Sequence, residues 1–138
     1  MDHAATMRKA YDLLNEGDID GFGDLLADDF VEHEPIEFPP TKEGVKQFFN
    51  HLRSAFPDLS MALEDVIAAD DKVVARVRCT GTNTGEFMGM PATGKSVDVQ
   101  GIDIIRFSDE GIAAEHWGVF DSMTMMQQLG VVPEGPPA

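Results

Sequence analysis

The stretch V-D-V-Q-G-I-D-I-I-R-F-S-D-E-G-I-A-A-E-H-W-G-V-F-D, Val97 to Asp121, decides the fold. Two runs of alternating apolar and polar residues flank a turn cluster, Ser108 to Gly111, which is the pattern of a long β-hairpin. With Phe107 facing Ile112, antiparallel pairing sets Asp103 opposite His116 and Gly101 opposite Gly118. The same face carries Val99, Ile105, Ala114 and Phe120, so a carboxylate and an imidazole share apolar surroundings, where a carboxylate pKa rises. The opposite face carries Ile102, Ile104, Trp117 and Val119 with Gln100, Arg106 and Glu115.

Upstream of the hairpin, the periodicity divides the chain in two. Ala4, Met7, Tyr11 and Leu14 recur at helical spacing up to Gly17, and Asp18 caps a second, short helix carrying Ile19, Phe22, Leu25 and Leu26. Phe30 and Val31 form a brief apolar segment before E-H-E-P. Thr41 caps a third helix with Val45, Phe48, Phe49, Leu52 and Phe56 on one stripe, stopped by Pro57. Beyond Pro57 the period becomes two. Ser60 to Ala68 and Val73 to Thr84 read as a hairpin, a Gly-rich connection covers Gly85 to Lys95, and a last helix follows the cap Asp121 and ends at Gly130. Helices first and antiparallel strands afterwards predict an α+β domain over residues 1–132, with helices on one face of a strongly curved sheet and an internal pocket. The tail at 133–138 is expected to fray.

A chain of 138 residues buries roughly 68% of its unfolded surface, enough for a core with a cavity. Ten basic residues against 25 acidic ones give a net charge of -15, a field that repels nucleic acid and anionic membrane surfaces. From Tyr11 to Thr41 there is no Lys or Arg. The lone cysteine, Cys79, excludes an internal disulfide and reads as a small strand hydrophobe. With no signal core or spanning run, cytoplasmic residence is the expectation.

The segment G-M-P-A-T-G-K-S, Gly89 to Ser96, matches a phosphate-binding loop letter for letter. Such a loop needs a helix beginning at its Lys and Ser, whereas V-D-V-Q-G-I-D-I alternates as a strand, so nucleotide binding is rejected. The histidines His3, His33, His51 and His116 show no metal-ligand spacing, and adjacent Glu32, His33 and Glu34 would alternate between strand faces. No metal site is expected. Asp103 and His116 are the candidate catalytic pair. His33, Phe49, Phe87, Met88, Met90, Gly118 and Phe120 are candidate substrate contacts, with Phe87, Met88 and Met90 as an adaptable wall or lid. The Trp117 face suits a homodimer interface.

The series F-P-D-L at Phe56, D-K-V-V-A-R at Asp71, G-T-N-T-G-E-F-M-G-M-P-A-T-G-K from Gly81, I-D-I-I-R-F at Ile102, E-H-W at Glu115 and Q-Q-L-G at Gln127 resembles the SnoaL-like polyketide cyclases, or ester cyclases. The resemblance implies the nuclear transport factor 2-like cone and an intramolecular aldol ring closure without metal or organic cofactor. The family's catalytic Asp lies two residues after the His of E-H-W, which is Gly118 here. A second cavity position, His in characterised cyclases, is matched by Asp103, and His116 is retained. The expectation is that Asp103 takes the base role across the face, with His116 as its hydrogen-bond partner or acid.

The function expected is ring closure or related acid/base chemistry on a small apolar carbonyl or ester compound. Epoxide hydrolysis on the same cone would need an Arg in the cavity, and a steroid-isomerase analogy a Tyr donor, whereas the sole Tyr, Tyr11, lies in the first helix. A non-catalytic ligand-binding or dimerisation module is the alternative outside enzymes.

Overall fold

The structure, a computed structural model, describes residues 2–132; the tail expected at 133–138 lies outside them. Helix α1, His3–Glu16, begins where the Asp2 side chain accepts the Ala5 N–H and ends at Gly17, whose φ of 82° is the left-handed conformation that favours glycine. Its buried face is Met7, Ala10, Tyr11 and Leu14. Asp18 caps α2, Ile19–Gly23, which stops before Leu25 and Leu26 rather than including them. Leu26 instead opens β1, Leu26–Glu32, because Leu26, Phe30 and Glu32 turn inward at strand spacing. Thr41 caps α3, Lys42–Ala55, as its sequence predicts.

The remaining strands are β2, Ser60–Ala69, β3, Lys72–Thr82, β4, Ser96–Phe107, and β5, Ala113–Phe120, followed by α4, Ser122–Leu129, capped by Asp121. They form one curved, unclosed sheet in the order β1-β5-β4-β3-β2. The sheet is mixed rather than wholly antiparallel, since β1 runs parallel to β5 and sets Glu32 beside His116. A parallel edge needs a long crossover, and the chain from α3 through β4 supplies it. Helix α1 packs on β2 and β3, α3 on β1 and α4 on β4.

The long hairpin forms with a register different from the predicted one. Asp103 pairs with Gly118, Ile105 with His116 and Gly101 with Phe120. The loop is longer than four residues, and Ala114 has no partner between the pairs Arg106–Glu115 and Phe107–Ala113. The total slip is two residues, which leaves each inward side chain on its predicted face except at Ala114, where the bulge turns Ala113 to the cavity instead. Along β3, Val73, Ala75, Val77 and Cys79 point inward. Arg76 and Arg78 point outward to Asp65 and Asp98.

Ser96 enters β4 directly after Lys95, so no helix follows the phosphate-loop-like segment. That connection is pinned by Asn83, which is 1% exposed. Its amide donates to the carbonyls of Ala55 and Gly85, and its carbonyl accepts from the Thr93 N–H and hydroxyl. Among the described residues no helix is long and apolar enough to cross a membrane. Replacing Asn83 with Ala strands buried backbone groups and should cost about 3 kcal/mol. A urea unfolding midpoint unchanged from wild type would show that the network is dispensable.

Candidate active site

The cavity lies between the inner sheet face and helices α1 and α3, with a volume of about 110 Å³. Its wall is apolar over Met7, Leu14, Phe22, Phe48, Phe49 and Ile105, and the polar groups gather where β1, β4 and β5 meet. There His116 Nε2 lies 2.7 Å from Asp103 Oδ1, and Nδ1 lies 2.5 Å from Glu32 Oε2. The Tyr11 hydroxyl donates to Asp103 Oδ2. These contacts follow from the register: Asp103 is the diagonal neighbour of His116 on the inner face, and the parallel pairing brings Glu32 alongside from the other strand. The side chains of His116, Asp103 and Glu32 are 13%, 16% and 6% exposed, so the imidazole is sealed between two carboxylates.

Gly118 makes this arrangement possible. A Cβ there would stand 2.6 Å from Asp103 Oδ1 and 2.9 Å from both Glu34 Oε2 and His116 Cε1. The space a side chain at 118 would occupy is filled by the carboxylates of Asp103 and Glu34.

The electrostatics follow from the burial. Desolvation pulls the His116 pKa down, but the hydrogen bonds and charges of Asp103 and Glu32 outweigh it and lift the value to about 10, so the ring is an imidazolium at neutral pH. Glu34 is raised to about 7 by burial, with Asp103 and Glu32 pushing the same way and His116 opposing. Burial, then Asp103, pushes the Tyr11 phenol well above its ordinary range. Cys79, also on the cavity wall, rises to about 11 through burial and stays a thiol.

Of the predicted substrate contacts, Phe49 and Phe120 line the cavity, and Gly118 underlies Asp103. His33 does not reach it. It sits on the outer face, stacked on Trp117 at 4.9 Å and 2.8 Å from Glu115 Oε2, because the strand parity that turns Glu32 and Glu34 inward turns His33 outward. Phe87, Met88 and Met90 are also absent from the cavity wall. Phe87 is buried against Phe56 in the second core cluster, Met90 packs beside that cluster, and Met88 is 40% exposed. Phe87 and Met90 therefore belong with the second cluster and form no wall or lid of this cavity.

Sequence reasoning missed Glu32, Glu34 and Tyr11. The signals were present: the two glutamates stand two apart and share a strand face, and a phenol on a buried helix stripe needs a polar partner. Donor atoms of Glu32, Glu34 and His116 lie within 4.8 Å of one another, a spacing that a cation could use. An imidazolium whose nitrogens both face carboxylates has no lone pair to give, so the donor set does not fit a metal while His116 is protonated.

An apolar cavity with a buried acid and imidazole cluster, in a helix-backed curved sheet, defines a small-molecule pocket built on the nuclear transport factor 2-like fold. The chain belongs to the SnoaL-like polyketide cyclase family, whose sequence profile matches residues 4–129. It is similar to AclR of Streptomyces galilaeus, provisionally described as a hydroxylase, at 27% identity and a TM-score of 0.86, over 98% of this chain and 89% of that one. It is similar also to IdmH of Streptomyces antibioticus, provisionally described as a polyketide cyclase, at 31% identity and a TM-score of 0.81, covering 95% and 100%. A protein of Bacillus cereus with the same provisional description matches at 28% identity and a TM-score of 0.80, over 93% and 80%. No curated protein matches the chain.

Both raised pKa values make the folded protein hold protons that the unfolded chain has lost, so each lowers stability as pH rises. For Glu34 the window runs from its ordinary 4.5 to about 7, and for His116 from 6.5 to about 10. The contribution of His116 is thus complete below pH 6.5 and gone above 10. Urea unfolding of Glu34→Gln across this range should show the first decline removed and the second kept. A variant that follows the wild-type curve throughout would contradict the assignment.

Proposed function

We propose that this protein catalyses a polyketide-cyclase-like reaction, an intramolecular aldol-type ring closure or a related acid/base step on a small apolar carbonyl or ester compound. The observation that carries the reading is His116, sealed between Asp103 and Glu32 at the polar end of an otherwise apolar cavity. A carbonyl oxygen seated at that end competes for the Tyr11 hydroxyl and a His116 N–H, both now shared with Asp103, and negative charge forming on it is stabilised by them. Asp103 keeps the two donors side by side. None of the described cavity-lining residues is Lys or Arg, and three are Asp or Glu, so the substrate class is neutral rather than anionic. Every group invoked is a side chain of this protein, and the step needs no cofactor.

Epoxide hydrolysis finds less support, because Arg76, Arg78 and Arg106 are all paired with outer-face acids. Double-bond isomerisation through an enolate gains support from one observation: Tyr11, although it lies in α1, reaches the cavity and bonds Asp103. The expectation for ring closure is turnover of an aryl β-keto ester carrying a second ketone within reach of its acidic carbon. Asp103→Asn and His116→Gln should each lower kcat/KM by about 100-fold or more with the fold retained by circular dichroism. Wild-type rates in both variants, or unchanged ester recovered from a saturated complex, would leave a binding module instead.

The proposal includes a homodimer through the outer sheet face, where Val119 is 72% and Ile102 41% exposed beside Trp117. Light scattering should give a dimer for wild type and a monomer for Val119→Glu. Equal masses for the two proteins would remove that interface.

A further inference from the structure

Four ionisable side chains surround His116 at the polar end of the cavity, and their hydrogen bonds separate them into two kinds. Asp103 uses one oxygen for His116 and the other for Tyr11. Glu32 uses Oε2 for His116 and for the Glu34 N–H. Tyr11 gives its only proton to Asp103. The carboxyl of Glu34 has no hydrogen-bond or ion-pair partner among the described residues, yet it lines the cavity, and its Oε2 lies beside Asp103 over Gly118, 2.9 Å from where a Cβ there would stand. A group that exchanges protons with a substrate needs a lone pair facing it, and a carboxylate already accepting two hydrogen bonds is a weaker base than a free one.

We propose that Glu34 is the proton-carrying catalytic residue, and that Asp103, His116, Tyr11 and Glu32 form the hydrogen-bonded frame that receives the carbonyl oxygen. The proposal rests on the acid/base reading above. In the forward step the Glu34 carboxylate removes a proton from the carbon next to the carbonyl. The C–H bond breaks, an O–H bond forms on Glu34, and the electron pair passes to the carbonyl oxygen as an enolate. The enolate carbon then attacks the second carbonyl carbon, a C–C bond forms, and the new alkoxide takes the proton back from Glu34. The carboxyl ends as it began.

The groups facing Glu34 are His116 from β5, Asp103 from β4, Glu32 from β1 and Tyr11 from α1. Burial and the two carboxylates outweigh the imidazolium and bring Glu34 to about 7, where a carboxyl can both accept and return a proton at neutral pH.

The test uses 2-tetralone in D2O, with exchange of its α-hydrogens followed by NMR. Wild type should accelerate exchange, with a rate that rises with pH through an inflection near 7. Glu34→Gln should still shift the ligand's resonances on binding, lose about 100-fold in exchange rate and lose the inflection. Glu34→Asp should recover part of the rate. Exchange in Glu34→Gln at the wild-type rate, with the inflection kept, would overturn the assignment while leaving the acid/base reading in place. Wild type that binds 2-tetralone and exchanges nothing would overturn both. A direct 13C titration of the Glu34 carboxyl in the free protein gives a readout independent of ligand, and a midpoint below 5 would also overturn the proposal.

Discussion

An imidazolium held between two carboxylates inside an apolar cavity is the interaction on which the rest of the site depends. A lone charge buried there would cost several kcal/mol, and the ring remains charged because each nitrogen meets a carboxylate. The arrangement needs three adjacent strands in one order. Asp103 comes from β4, His116 from the central β5 and Glu32 from the edge strand β1. Were β1 absent or shifted by one residue, Glu32 would face solvent and Nδ1 of His116 would be left against hydrocarbon.

The same constraint accounts for a residue without a side chain at 118. In the antiparallel ladder Asp103 stands directly across from Gly118. A carboxylate carried by β4 at 103 and one carried by β5 at 118 would therefore compete for a single volume. The 2.6 Å gap between Asp103 Oδ1 and a Cβ placed at 118 measures that competition. A glycine at 118 thus leaves the room that the carboxylate at 103 occupies.

How far the sequence disclosed this depended on the range of each signal. The caps at Asp18, Thr41 and Asp121 and the faces of β4 are local, and they read correctly because capping and period-two alternation involve neighbours in the chain. The pairing register across the long hairpin was two residues out, because the loop length and the bulge at Ala114 leave no mark in alternation. Asp103 and His116 still met because an even slip preserves parity. What the sequence hid was long-range: the parallel docking of β1 on β5, and the packing of α1 that brings the Tyr11 hydroxyl to Asp103 from 92 residues away. His33 and Glu34 show the same limit at short range. Strand alternation assigns them to opposite faces, but only the sheet decides which face holds the cavity.

Charge within the cavity is set apart from charge outside it. The outer face pairs Arg76, Arg78 and Arg106 with Asp65, Asp98 and Glu115, so these cations of β3 and β4 are engaged away from the cavity. Inside, Asp103, Glu32 and Glu34 face one imidazolium and no second cation among the described lining residues. Full ionisation would leave an excess of two negative charges in a poorly solvated space, and that excess, with burial, is what raises Glu34 to about 7. Asp103 and Glu32 each face a nitrogen of His116 and Glu34 faces neither, so the architecture that fixes His116 as a cation leaves the Glu34 carboxyl open to the cavity.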